Sequence, residues 1–79
     1  MRMPMRISKM NIPGLAERAK TLRHSIGLSQ QIVATKAGIS PNRLRDLETQ
    51  SIATLDTIAK VAAALGVGPE FLIGARGIQ

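Results

Sequence analysis

From Gly14 onward apolar residues recur at three- and four-residue steps. Leu15, Ala19, Leu22 and Ile26 share one side, while Glu17, Arg18, Lys20 and Arg23 fall elsewhere. That period is helical, and Gly27 ends the segment, because glycine suits the positive φ that follows a helix terminus. Ser29 stands as the cap of a shorter helix over Gln30–Ala37 with Val33 and Ala37 inward. Gly38 then allows a sharp turn, Ser40 caps again, and Pro41 takes the first helical position, where its missing N–H costs nothing. This third helix is predicted to run to about Glu48 on the apolar pair Leu44 and Leu47, and Thr49-Gln50-Ser51-Ile52-Ala53 reads as a polar loop. Thr54 caps a fourth helix striped by Leu55, Ile58, Ala59, Ala62 and Leu65 and closed by Gly66. Pro69 opens a short last helix whose Phe71, Leu72 and Ile73 are expected first of all in the core. Residues 1–13 hold four Met and two Pro with no period and read as a basic, flexible arm; 74–79 read as a tail. No strand is predicted. The expected fold is all-α, a bundle of five helices over residues 14–73.

Composition narrows what such a bundle can do. The 79 residues include no Cys, Trp or Tyr, one His and one Phe. Disulfides, zinc fingers and thiol catalysis have no material, and base stacking on aromatic platforms has only Phe71. His24 has no second His or Cys with which to share a metal, so neither metal nor cofactor is expected. Hydrophobic residues at 44% exclude a disordered basic tail. No apolar run approaches a membrane span, and the start has no continuous apolar stretch of the kind a secretory signal needs, so the cytoplasm is the expected location. Eleven bases against five acids give +6. The charge is lopsided: residues 1–45 hold nine bases and only Glu17, net +8, whereas residues 46–79 are net −2. A basic half of this kind suits a polyanion.

Two short helices joined by a glycine turn, the second freshly capped, match a helix-turn-helix. The geometry needs a small residue where the helices meet, a residue at ease with positive φ in the turn, and apolar anchors. Ala34, Gly38, and the set Val33, Ala37, Ile39, Leu44 and Leu47 meet those needs together. The stretch LAERAKTLRHSIGLSQQIVATKAGISPNRLRDLE, continued by TLDTIAKVAAALGVGPEFL, resembles the Cro/repressor-type (xenobiotic-response-element) helix-turn-helix family over about residues 14–73. The resemblance implies a lambda-repressor-like five-helix domain that binds operator DNA as a dimer, regulates transcription and is not an enzyme. Part of the Phe71–Ile73 end would form the dimer seam.

Carried over by matching residues, Gln30 looks like the family's phosphate anchor at a helix N-terminus, where free N–H groups and the helix dipole favour an anion. Arg23 and Glu48 match a pair that forms a salt bridge in family members, read here as structural. The third helix would enter the major groove. With Leu44 and Leu47 inward, its outward arc holds Asn42, Arg45, Asp46 and Thr49, with Arg43 on the flank. Asn42 is suited to adenine, Arg45 to guanine and Arg43 to a phosphate; Ser40 and Gln50 complete the expected contact set. Three features depart from the family pattern. Pro41 sits where a base-reading polar side chain is frequent, Asp46 faces the phosphates unless it accepts from cytosine or pairs with Arg43, and the following loop lacks glycine and basic residues. Thr49, Gln50 and Ser51 are weaker donors there, and Ile32 replaces a polar residue. As an arm, Arg2, Arg6 and Lys9 would track the DNA backbone. The expected function is a sequence-specific regulator of double-stranded DNA, a repressor acting as a homodimer on a two-fold operator. The alternative is an antitoxin or controller-type module whose main partner is another protein, such as a toxin. An enzyme is disfavoured by the lack of paired carboxylates, of a nucleophile–base couple and of a phosphate-binding glycine loop.

Overall fold

Side-chain hydroxyls set three of the helix starts. In the computed structural model, which describes residues 9–74, Ser29, Ser40 and Thr54 accept from the backbone N–H of Ile32, Arg43 and Thr57. Each satisfies a donor that the first helical turn would otherwise orphan. The elements run β1 (Met10–Asn11), α1 (Leu15–Ser25), α2 (Gln30–Ala37), α3 (Pro41–Gln50), β2 (Ile52–Ala53), α4 (Leu55–Leu65) and α5 (Pro69–Ile73). α1 packs on α3 and α5, α2 on α3 and α4, and α4 on α5. Leu15, Val33, Leu44, Leu47, Ile58, Val61 and Leu72 are fully buried, so all five helices contribute to one core. Ala34, Ala37 and Ala62 keep the α2–α4 contact close. Of the expected arm, residues 1–8 with Arg2 and Arg6 lie outside the described residues, as do residues 75–79 of the tail.

The structure corrects the expectation of no strand. Met10 pairs with Ala53 and Asn11 with Ile52 in an antiparallel ladder. α3 continues to Gln50, and the stretch read as a polar loop supplies its last turn and β2. Two-residue strands carry no period, and their partners lie some forty residues apart, so no local pattern announces them. The apolar stripes also shift. Ile26 falls beyond the end of α1 and is 45% exposed, Leu55 is 62% exposed and Ala59 is exposed, while Thr57 and Val61 turn inward on α4. Phe71 is half-exposed, because the single turn of α5 commits its inner side to Leu72.

Ser51 closes α3 at φ 58°, the one positive φ among the described non-glycine residues. Its three polar groups are all engaged. The N–H donates to Leu47 O, the carbonyl accepts from Ile12 N at 2.9 Å, and Oγ accepts from Ala16 N at 2.9 Å. That last bond caps α1, whose own N-cap, Gly14, has no side chain. Asn11 Nδ2 adds a bond to the Gln50 carbonyl at 3.0 Å. The end of α3 and the start of α1 are thereby one joint.

Candidate nucleic-acid interface

The angle between α2 and α3 is fixed by the turn. Gly38 takes φ 73°, and Ile39 N–H returns to Ala34 O at 3.0 Å. Val33, Ala34 and Ala37 bury one side of α2, and Leu44, Leu47 and Glu48 bury one side of α3. Asn42, Arg43, Arg45, Thr49 and Gln50 are left exposed on the other side of α3, with Pro41 at its start. Arg45 Nη2 donates to Asn42 Oδ1 at 3.0 Å, so the two side chains lie together one turn apart. Thr49 Oγ1 donates to Arg45 O at 2.7 Å, which turns its hydroxyl back onto the helix. Ser40 is exposed and its Oγ caps α3, with the O–H still free to donate outward.

Asp46 is half-buried at the edge of this face. It lines a hollow of about 60 Å³ shared with Lys9, Arg43, Ile52, Ala53, Thr54 and Thr57. Two cations, Lys9 and Arg43, share its rim. Lys9, just before β1, is therefore brought to the α3 side by the ladder.

Behind this face lies a buried ion pair. Arg23 Nε and Nη2 donate to Glu48 Oε2 and Oε1 at 2.7 and 2.8 Å, with the two residues 8% and 2% exposed. Arg23 Nη1 also donates to Leu28 O at 2.8 Å. Burial alone would raise the Glu48 pKa. Hydrogen bonds from Arg23 and Gln30, with the charges of Arg23 and His24, outweigh it and hold the carboxyl below its ordinary value. Gln30 is half-buried, and its Nε2 donates to Glu48 Oε1 at 2.9 Å.

Sequence reasoning missed three of these placements. It left Gln30 free for a phosphate and did not foresee its bond to Glu48. It grouped Arg18 with the DNA-facing charge, whereas Arg18 Nε donates to Leu72 O at 2.8 Å and Nη2 to Pro13 O at 2.9 Å. A Cβ on Gly14 or Gly74 would fall on that guanidinium, so both glycines leave room for it. It also gave Asn11 no role. None of the three has a local signal, since each partner lies on another element.

A helix-turn-helix family model matches residues 20–72. The chain belongs to the helix-turn-helix family of Cro/C1 type. No curated protein sequence matches it. Among solved structures, this helix-turn-helix chain is similar to the restriction-modification controller protein C.AhdI from Aeromonas hydrophila, at 32% identity and TM-score 0.70 over 75% of this chain and 91% of that one. It is similar to the N-terminal DNA-binding domain of SinR from Bacillus subtilis, at 27% identity and TM-score 0.71 over 81% and 96%. A hypothetical transcription factor from Neisseria, NHTF, aligns at 29% identity and TM-score 0.70 over 91% and 86%. The family match starts at Lys20, so β1 and the first turn of α1 lie outside it. Among the described residues no helix is long and apolar enough to cross a membrane.

Proposed function

We propose that this helix-turn-helix protein is a sequence-specific, double-stranded-DNA-binding transcriptional regulator, a repressor that acts as a homodimer on a two-fold operator. The observation that carries the reading is the exposed face of α3, where Asn42 and Arg45 lie paired and Arg43 and Lys9 stand at the flank. In this reading α3 enters the major groove. Arg45 keeps donors for the two acceptors of guanine, and Asn42 keeps Nδ2 and a second lone pair on Oδ1 for adenine. Ser40, Arg43, Gln50 and the start of α2 at Gln30 meet phosphates, Thr49 joins them only by turning its hydroxyl away from Arg45 O, and Asp46 is tolerated because of its cationic neighbours. The names of the similar structures, a controller protein, a DNA-binding domain and a transcription factor, support a regulator rather than a catalyst.

Selection from a random duplex pool tests the reading directly. The expected product is a palindrome with half-sites about 34 Å apart, one helical turn, and affinity that falls steeply with salt. Equal affinity for every duplex would refute sequence-specific regulation. A second reading, a controller or antitoxin whose main partner is a protein, is favoured by half-exposed Ile32 and Phe71, the latter beside an open groove lined by Thr21, Leu22 and Ser25. Co-purification of a stoichiometric partner together with weak, unselective DNA binding is the result that would replace the first reading with the second.

A further inference from the structure

The buried ion pair has a third member that its own pairing does not require. Arg23 already engages both oxygens of Glu48, yet Oε1 accepts another bond from Gln30 Nε2 at 2.9 Å. An ionised carboxylate can only accept, so this bond decides which end of the Gln30 amide faces inward. Nε2 carries two hydrogens. One is held by Glu48, and the second lies at the half-buried start of α2. At the same place Ser29 Oγ takes the N–H of Ile32 and Ser29 O takes that of Val33. Among the described residues the backbone N–H groups of Gln30 and Gln31 meet no partner, which leaves them for an outside acceptor.

We propose that Glu48 is a positioning residue for DNA binding, holding the Gln30 amide so that its second N–H and the first backbone N–H groups of α2 converge on one phosphate. The proposal rests on the DNA-binding reading above. It makes the Arg23–Glu48 pair part of the phosphate anchor as well as of the core. The rotamer freedom of a long glutamine is given up on folding rather than on binding, which is how preorganisation improves affinity. Arg23 cancels the charge of Glu48, so an incoming anion meets oriented N–H dipoles and no net negative field.

A double-mutant cycle read in duplex affinity tests the coupling. Gln30→Ala should weaken every duplex alike by about tenfold, the value of roughly one hydrogen bond to a charged group. Glu48→Gln keeps the shape but no longer dictates the amide's orientation, and should weaken binding several-fold without altering base preference. The double variant should bind no worse than Gln30→Ala alone. Effects that multiply would overturn the coupling. Glu48→Gln also disturbs the core, so the unaltered protein supplies an independent readout. In its side-chain amide NMR spectrum, one Gln30 Nε2 proton should exchange slowly and stay put on adding duplex, while the other shifts. Two Gln30 protons that behave like those of exposed Gln31 would overturn the proposal even if DNA is bound. A wild-type chain that binds no duplex selectively, but shows the slowed proton, would instead remove the DNA-binding reading and the role built on it.

Discussion

Helices α1 and α3 carry two arginines each and use them in opposite ways. On α1, Arg23 is buried on Glu48 and Arg18 is tied to the carbonyls of Pro13 and Leu72. On α3, Arg43 and Arg45 are exposed, and among the described residues the Arg45 side chain reaches only Asn42, its neighbour on the same helix. A guanidinium offers five donors in a planar fork, so the same residue can close a structural joint or present itself to a polyanion. Surroundings decide which. The lesson concerns charge counting. Of the described bases up to position 45, Arg18 and Arg23 are held by oxygens of other elements, and the exposed ones are Lys9, Lys20, Lys36, Arg43 and Arg45.

That contrast can be broken by substitution. Arg23→Met should have the largest effect, because it leaves the Glu48 carboxylate buried and unpaired; about 3–5 kcal/mol of unfolding free energy should be lost in urea titrations. The contrast between α1 and α3 fails if an α3 arginine costs as much. Arg18→Ala should destabilise by about 1–3 kcal/mol through two lost charge-assisted bonds, while the salt dependence of duplex binding stays unchanged. A flatter salt dependence would make Arg18 a phosphate contact instead. Arg45→Ala should do the reverse: about 1–3 kcal/mol weaker binding to the preferred duplex with relaxed base choice, and thermal stability within about 0.5 kcal/mol of the parent.

Acid sharpens the same point. Glu48 has a folded-state pKa below its unfolded value, so its contribution to stability is fully present above about pH 4.3 and is lost as the pH falls through the lowered folded value. Arg23→Met should abolish most of that acid-linked loss, and Arg45→Ala should leave it in place. The smallest effect is expected at Ser51, where α3 meets α1. Ser51→Gly relieves the positive φ but removes the cap on Ala16, and the two should nearly offset, leaving a change in melting stability below about 1 kcal/mol. Ser51→Val, which keeps the strain and loses the cap, should be worse than Ser51→Gly by the same assay.

Much of the helical frame was legible because its signals are local. Ser29, Ser40 and Thr54 meet their N–H partners three residues on, and Gly38 and Gly66 close the helices they follow. The buried faces of α2 and α3 follow from the spacing of Val33 and Ala37 and of Leu44 and Leu47. Contacts that span the chain left no such trace. Gln30 reaches Glu48 across 18 residues, Ala16 reaches Ser51 across 35, Asn11 reaches Gln50 across 39 and Arg18 reaches Leu72 across 54. A polar side chain has no period that tells where its partner will be, and only the packing of α1 against α3 and α5 brings these pairs together. The Arg23–Glu48 pair was reached through family resemblance, since spacing says nothing of two charges 25 residues apart. The exposure of Leu55 and Phe71 shows the complementary error: apolar spacing marks a face, and tertiary packing then selects how much of it is covered.

Ser51 also bears on the order in which the chain can mature. During synthesis the first helix leaves the ribosome some 35 residues ahead of the oxygen that caps it. Until Ser51 has been made the opening turn of α1 lacks this cap, so the start of α1 is completed only with the end of α3. In Ser51→Ala the Ala16 amide should exchange with solvent faster than in the parent chain. The joint ties the completion of one helix to the making of another that lies 35 residues on.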